Sequence, residues 1–297
     1  MIIMLVGAGN LGERYLEGLI KLKAKKKFIY VYDKNKVTLK KIKHKYHDFN
    51  TYIFPINQLK EVKKKRFDVC IVATTASSRH KTIKIIKDNF YIKFWILEKL
   101  VSNKVENFQK IYDILKNDKA YVNLPRSYCA MHQLLKKQKF KKINFKVEGG
   151  NWNIGSNCIH HLYLVEWLTG EKVVNINVEK KKFYLTKRKN FYDFYGKISA
   201  YTNLGSKIKI VNHNNHKKFN IIIKHQEDQW LVNEHSGYIK KNRKILLKNK
   251  FNFQSQITPF LINSLKKKCK LPLLNEIYDL HKNILINFKK INFFTVT

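Results

Sequence analysis

Three glycines near the N-terminus follow the spacing G-x-G-x-x-G in a chain of 297 residues that has only 11 glycines. They are Gly7, Gly9 and Gly12, and chance would produce this spacing about 0.015 times in so glycine-poor a chain. An apolar run at 2–7 precedes the spacing, and a helical pattern follows it. A strand, a glycine turn and a helix in this order are typical of a dinucleotide-binding turn. The sequence therefore predicts such a turn, with a ligand-free turn as the alternative.

Each glycine has a separate expected role in this turn. Gly7 permits the tight bend, Gly9 lets the backbone approach the diphosphate, and Gly12 lets the helix pack on the strand. The amides at the start of the helix, at Asn10 and Leu11, are expected to face the phosphate charge. These five residues are the predicted diphosphate site.

An acidic residue closes the next predicted strand, at 28–32. This residue is Asp33, 21 positions after Gly12, where a carboxylate can accept hydrogen bonds from a ribose and repel a 2′-phosphate. The prediction is NAD, and NADP remains open because Lys34 and Lys36 weaken the repulsion.

Strand-like and helical segments alternate through the first part of the chain. After 28–32, the expected strands are 67–75, 94–100 and 120–125, and the expected helices end near 46 or span about 80–89 and 104–117. Such alternation predicts a parallel sheet with helices on both faces. We expect a Rossmann dinucleotide-binding domain at 1–123.

The pattern changes after about residue 125. A helix (128–138), a strand (142–148) and a helical pattern up to about 170 lead to strand-like segments separated by turn residues, and a helical region (254–290) follows. The expected strands are 173–185, 195–205, 207–213, 219–225 and 229–239. We expect an α+β domain at 124–297 with an open, mainly antiparallel sheet, for substrate binding and oligomerisation.

The net charge of +39 suggests nucleic acid as a partner, but the kind of basic residue argues against it. Six of the 60 basic residues are arginines, although phosphate and base recognition favour the planar arginine fork. Lysine spread along the whole chain together with Asn and Ile is what an A+T-rich genome produces. We expect no specific nucleic-acid partner, with a nucleic-acid-binding module kept as an alternative. A cleft in such a protein still attracts anions.

Other features exclude several classes of protein. The cysteines are Cys70, Cys129, Cys158 and Cys269, and no C-x-x-C pair occurs, so we expect neither disulfides nor a metal site. No apolar run of 18 residues and no signal-peptide pattern occurs, so we expect a cytoplasmic protein without a membrane partner.

The pair Glu98-Lys99 follows a predicted strand, and it resembles the Glu-Lys-Pro motif of the Gfo/Idh/MocA oxidoreductases, with Leu100 in place of the proline. The segments 71–80, 149–160 and 253–281 are also similar to this family. The resemblance spans nearly the whole chain. It implies a Rossmann domain followed by a sheet domain, with the nicotinamide between them, and it implies a homo-oligomer.

The resemblance also implies two catalytic residues. Lys99 is expected near nicotinamide and substrate, and His160 is expected to be the acid/base, with its neighbour His161 as the rival. The family often has aspartates four residues before and three residues after this histidine, where this chain has Ser156 and Tyr163. Glu98 and the backbone of Thr74 are expected at the cofactor.

Four residues are candidates for substrate binding. Arg126 would hold an anionic group, with a salt bridge as the alternative. Asn151, Trp152 and Asn157 lie in or next to the glycine-containing approach to His160, and core packing is the alternative for Trp152. We expect them to line a sugar site.

The residues and the resemblance together predict hydride transfer between a nicotinamide and a sugar or sugar derivative, including one that carries phosphate or a nucleotide. A histidine can take the hydroxyl proton near neutral pH, and an ammonium group can stabilise the developing alkoxide. The alternative is a sensor or scaffold that binds the dinucleotide without catalysis.

Overall fold

The computed structural model describes residues 1–24, 26–49, 52–188, 190–215, 217–249 and 252–294. These residues form two compact units. The first unit comprises 1–102, 106–123 and 253–276, and the second comprises 103–105, 124–252 and the chain from 277 onward. The division into domains at 1–123 and 124–297 stays a prediction.

The described residues contain fourteen strands and eight α-helices. The strands are β1 (Ile2–Val6), β2 (Phe28–Tyr32), β3 (Ile53–Ile56), β4 (Arg66–Val72), β5 (Tyr91–Leu97), β6 (Ala120–Val122), β7 (Asn144–Gly150), β8 (Val173–Leu185), β9 (Tyr192–Thr202), β10 (Lys207–His213), β11 (Asn220–His225), β12 (Asp228–Asn233), β13 (Tyr238–Lys241) and β14 (Lys244–Lys248). The helices are α1 (Asn10–Ile20), α2 (Lys36–Lys45), α3 (Arg79–Asn89), α4 (Val105–Leu115), α5 (Ala130–Lys136), α6 (Ile154–Thr169), α7 (Gln254–Ser264) and α8 (Tyr278–Lys290). None of these helices is long and apolar enough to cross a membrane.

The sheet of the first unit is parallel throughout, in the order β3-β2-β1-β4-β5-β6. The central strands β1 and β4 are nearly continuous apolar runs and are almost wholly buried, as expected where helices cover both faces. The order reverses between β2 and β4 on the two sides of β1. Ligands bind at the carboxyl edge of such sheets, at this reversal.

The expected strands of the first unit needed several corrections, and one is that β6, expected at 120–125, ends at Val122. β4 ends at Val72 and β5 at Leu97, so Thr74 and the pair Glu98-Lys99 lie in loops at the carboxyl edge. β3 was not predicted, and it contains Pro55. It is the edge strand, where a proline does not remove a ladder hydrogen bond.

The expected helical region at 254–290 is two helices instead of one. The connecting segment, 265–277, contains Pro272, whereas α7 itself accommodates Pro259 in its interior. The Pro272 carbonyl accepts from the Val122 amide at 3.0 Å, and the Leu274 amide donates to the Ala120 carbonyl at 2.8 Å. The segment therefore covers the edge strand β6. α7 belongs to the first unit and packs against α1.

The second unit has an eight-stranded sheet in the order β14-β13-β12-β11-β7-β10-β9-β8. Its pairs are antiparallel except for β7 with β10. The predicted segment 229–239 is a hairpin, β12 and β13, and β14 was not predicted. α6 packs on β8, β9 and β10, and α8 packs on β8. The predicted fold class, a Rossmann domain followed by a mainly antiparallel α+β sheet domain, is confirmed.

Candidate functional site

In the turn after β1, the backbone angle and the packing of the protein itself account for two of the three glycines. Gly7 has a φ of +91°, in the region that side chains rarely adopt. A Cβ at Gly12 would lie 1.8 Å from the carbonyl oxygen of Gly7, so any side chain there would push α1 away from the strand. Both positions therefore require glycine whether or not a ligand binds.

Gly9 has no such reason within the described protein. Its backbone is extended, with φ −66° and ψ −174°, and a Cβ built on it meets nothing within 4 Å. It is also the N-cap of α1, and no side chain caps the helix there. The exposed residues Asn10 and Leu11 follow it. This open cradle at a helix N-terminus fits a diphosphate.

Asp33 connects the glycine turn to the end of β2. Its Oδ2 accepts a hydrogen bond from the Ala8 amide at 2.7 Å, and its Oδ1 accepts one from the Asn35 amide at 2.8 Å. These bonds hold the carboxylate beside the turn. Because each carboxylate oxygen can accept a second bond, Asp33 retains capacity for the ribose hydroxyls of a dinucleotide.

Glu98 turns its side chain into the protein. It is 4% exposed, and its Oε1 accepts from the Tyr15 hydroxyl at 2.5 Å and from Asn123 Nδ2 at 2.6 Å. Burial, followed by the charge of Glu98, raises the pKa of Tyr15 well above its ordinary value. The carboxylate therefore fastens the loop after β5 to α1. Lys99 is half-buried in that loop, and the Lys99–Leu100 peptide bond is cis.

Arg79 is a residue that the sequence interpretation missed. It is the first residue of α3, and it is 1% exposed. Nη1 donates to the carbonyl oxygens of Glu98, Leu100 and Val101 at 2.6, 2.5 and 3.0 Å, and Nη2 donates to that of Thr74. One guanidinium thus connects the loops after β4 and β5. The available signal was its type, because arginine is rare in this lysine-rich chain.

The four predicted substrate residues are together in the second unit. Arg126, Asn151, Trp152 and Asn157 line one cavity of about 770 Å³. Its other lining residues are Gly150, His161, Lys217, Lys218, Phe219, Asn233, Glu234, His235, Ser236 and Tyr238. The spacing of the candidates along the chain did not predict this cavity, because more than half of its lining residues lie in 217–238.

A buried ion cluster stands at this cavity. Nε and Nη2 of Arg126 donate to the two carboxylate oxygens of Glu234 at 2.9 and 2.8 Å, and His132 Nε2 is 2.8 Å from Glu234 Oε1. Burial alone would raise the pKa of Glu234, but Arg126 and His132 more than offset it, and the pKa lies well below its ordinary value. Arg126 therefore makes the salt bridge that the sequence interpretation gave as its alternative role, within the cavity wall. Its binding of a substrate anion stays a prediction.

The polar groups of the cavity hold one another in place. Trp152 Nε1 donates to the Val211 carbonyl at 3.0 Å, and Asn157 Nδ2 donates to the Trp152 carbonyl at 3.0 Å. The Tyr195 hydroxyl donates to Asn151 Oδ1 at 2.6 Å. Indole and amide groups are thus fixed at one wall before any ligand binds, which lowers the entropy cost of binding.

α6 carries both candidate histidines. His160 is half-buried, whereas His161 is 1% exposed and packs edge-on against Trp152 with a ring separation of 5.4 Å. His161 lines the described cavity, and His160 is not among its lining residues. The choice of His160 as the acid/base stays a prediction.

The start of α6 receives a carboxylate from another strand. Asp193 in β9 accepts the amides of Gly155 and Ser156 at 2.8 and 3.1 Å, and the Ser156 hydroxyl at 3.2 Å. Burial raises the pKa of Asp193, and these bonds oppose the shift. Ser156 thus replaces the aspartate of the family pattern, but it binds the carboxylate of Asp193. Only the tertiary structure reveals this arrangement.

The comparisons with known proteins point to a fold. No protein-family model matches the chain, and no curated protein matches its sequence. Solved structures do match, and several of them are dehydrogenases. The WlbA dehydrogenase from Bordetella pertussis, in complex with NADH and UDP-GlcNAcA, is 14% identical with a TM-score of 0.71, over 96% of this chain and 94% of that one. The myo-inositol dehydrogenase from Lactobacillus casei, in complex with NAD(H) and myo-inositol, is 13% identical with a TM-score of 0.72, over 98% and 94%.

A third match has a different description. The super-repressor mutant of Gal80p from Saccharomyces cerevisiae is 11% identical with a TM-score of 0.75, over 99% of this chain and 96% of that one. At such identities the matches show a shared fold. At that level they confirm the resemblance to the Gfo/Idh/MocA oxidoreductases.

Proposed function

We propose that this protein is an NAD(P)-dependent oxidoreductase that transfers a hydride between nicotinamide and a sugar or sugar derivative. The observation that carries the proposal is Gly9, a glycine with ordinary backbone angles and open space where a side chain would be. Packing explains Gly7 and Gly12, and a diphosphate explains Gly9. Asp33, held beside the turn, favours NAD as the cofactor, and NADP remains the second candidate.

The chain supplies groups for each part of this reaction. The bound nicotinamide accepts or donates the hydride. His160 takes the substrate hydroxyl proton or returns it, and the ammonium of Lys99 stabilises the negative charge on the substrate oxygen. Asn10, Leu11 and Thr74 complete the proposed cofactor site, and Glu98, whose side chain is buried, contributes to it through the loop that it fastens to α1.

The cavity of the second unit supports a sugar-type substrate. An indole face suits the apolar face of a sugar ring, and the amides of Asn151 and Asn157 suit its hydroxyls. Arg126 adds positive charge for a substrate that carries phosphate, carboxylate or a nucleotide. A homo-oligomer in the cytoplasm, without a specific nucleic-acid partner, is part of this proposal.

Titration with NADH tests the cofactor assignment. Gly9→Asp keeps a good helix N-cap residue but places a negative charge in the cradle. We expect it to weaken NADH affinity at least about 50-fold through like-charge repulsion, with an unchanged melting temperature. Gly9→Ser is the matched control for capping. Equal NADH affinity in Gly9→Asp and the wild type would contradict the proposal.

The two histidines are separated by their pH profiles. With a sugar substrate found by screening, His160→Ala should reduce kcat by about 100-fold or more. It should also remove the limb of the pH profile that reports the deprotonation of the base. His161→Ala is the control. If only His161→Ala removes that limb, the acid/base is the cavity histidine.

The rival function is a sensor or scaffold that binds nicotinamide dinucleotide without catalysis. The match to a protein described as a super-repressor mutant favours retaining this rival function as a candidate. Stopped-flow absorbance at 340 nm with bound NAD and a panel of sugars and nucleotide sugars distinguishes the two. Tight NAD binding without hydride transfer to or from any member of the panel would support the rival.

A further inference from the structure

The loops after β4 and β5 share one buried donor. We propose that Arg79 is a positioning residue that fixes these two loops, and through them Lys99, in the nicotinamide half of the cofactor site. The inference rests on the proposed function. Its geometric basis is the set of four carbonyls that one side chain joins, three from the loop after β5 and the Thr74 carbonyl from the loop after β4.

The position of Arg79 is unfavourable for local helix stability. It is the first residue of α3, and the positive end of a helix dipole disfavours a cation there. Burial also disfavours the charge, and it lowers the pKa of Arg79 to about 10, while the Glu98 carboxylate opposes the shift. An arginine kept at this place must be stabilised by its other contacts, and those contacts are the four loop carbonyls.

The chemistry at this position calls for arginine. Most cations of this chain are lysines, and only six are arginines. A lysine has one nitrogen, which could reach the carbonyls of Glu98, Leu100 and Val101. It could not also reach Thr74, which Arg79 contacts through its second terminal nitrogen. A planar fork is therefore needed to hold the two loops at a set separation.

The strand order assigns these loops to one half of a dinucleotide. Along the carboxyl edge, Asp33 follows β2, the glycine turn follows β1, Thr74 follows β4, and Lys99 follows β5. A dinucleotide with its ribose at Asp33 and its diphosphate at the glycine turn extends toward β4 and β5. Arg79 thus acts on the nicotinamide half and leaves the adenosine half unchanged.

Two probes separate these halves, because ADP-ribose carries the adenosine and diphosphate of NADH and lacks the nicotinamide. In calorimetric titrations of the full chain, Arg79→Lys should weaken NADH binding about 10-fold and change ADP-ribose binding less than about 2-fold. Gly9→Asp should weaken both. Arg66→Lys is the matched control, since Arg66 is exposed and lies over the Tyr91 ring; we expect it to bind both probes like the wild type.

The outcomes distinguish the inference from the function on which it rests. If the wild type binds neither probe, the proposed function is wrong and the inference falls with it. If the wild type binds both, and Arg79→Lys binds NADH equally well or loses both probes equally, the inference alone is overturned. The double variant Arg79→Lys, Lys99→Met adds a test for coupling. If Arg79 acts through Lys99, the loss of NADH affinity in the double variant is smaller than the product of the single losses; a full product contradicts that route.

Discussion

The glycine turn of the first unit is a site formed by backbone groups, whereas the cavity of the second unit is a site formed by side chains. The turn is made of backbone, and three small residues within six positions determine it. The cavity is made mainly of side chains from the segment between β7 and α6, from α6, from the residues just before β11 and from the turn between β12 and β13. Its Arg126–Glu234 pair joins residues 108 positions apart. The first kind of site is encoded locally, whereas the second exists only once the sheet has formed. Variants should therefore damage the two sites in different ways.

The largest expected effect is at the buried pair of the cavity. Glu234→Gln leaves Arg126, whose side chain is only 12% exposed, without its carboxylate, and breaking one partner of a buried pair costs about 3–5 kcal/mol. Urea unfolding at pH 7 measures the loss. Glu179→Gln is the control, because Glu179 pairs with Lys197 at 2.8 Å on an exposed part of the same sheet.

The pH dependence of this loss has a defined sign. The folded-state pKa of Glu234 lies below its ordinary value, so its carboxylate stabilises the fold above about pH 4.3. That contribution disappears as the pH falls toward the folded-state pKa. The stability difference between wild type and Glu234→Gln should therefore shrink below about pH 4.3. A constant difference would contradict an ionised, paired Glu234.

The next effect is at the glycine turn. Gly12→Ala places a methyl group on the Gly7 carbonyl, a rigid backbone atom, and should destabilise the first unit by about 2–3 kcal/mol. Gly9→Ser in the same turn should change the free energy of unfolding by less than about 0.5 kcal/mol, because serine caps helices well. Circular dichroism during urea unfolding compares the two. Similar losses would contradict the distinction between a packing glycine and a cradle glycine.

A smaller effect is expected at the start of α6. Ser156→Asp restores the carboxylate of the family pattern, but it places this group against the buried Asp193 and should cost about 2 kcal/mol. The exchange variant Ser156→Asp, Asp193→Ser should recover at least half of that loss, since the pair interaction is not additive. Thermal unfolding of the three variants tests this. No recovery would show that Asp193 does more than replace the missing aspartate.

The same division explains what the sequence could predict. The Rossmann order, the glycine turn and Asp33 depend on contacts within short segments, so spacing and periodicity identified them. The return of α7 to the first unit depends on contacts with α1, more than 230 residues earlier in the chain, and no local pattern indicates it. Arg79, Asp193 and Glu234 are buried charges whose partners lie in other elements, and sequence reasoning missed all three. Resemblance pointed to the segment that holds Asn151, Trp152 and Asn157, and Arg126 was a candidate for its charge, but the wall that they share needed the structure.

The smallest expected effect is at a surface ion pair beside the glycine turn. Lys45 Nζ is 2.5 Å from Glu13 Oε1, closer than the Arg126–Glu234 contacts, yet the side chains of Lys45 and Glu13 are 54% and 32% exposed. Water screens such a pair, so Lys45→Met should change the free energy of unfolding by at most about 0.5 kcal/mol. Urea unfolding in low and high salt measures it, with the difference between wild type and variant shrinking as salt rises. A loss as large as that of Glu234→Gln would mean that distance outweighs burial in this protein.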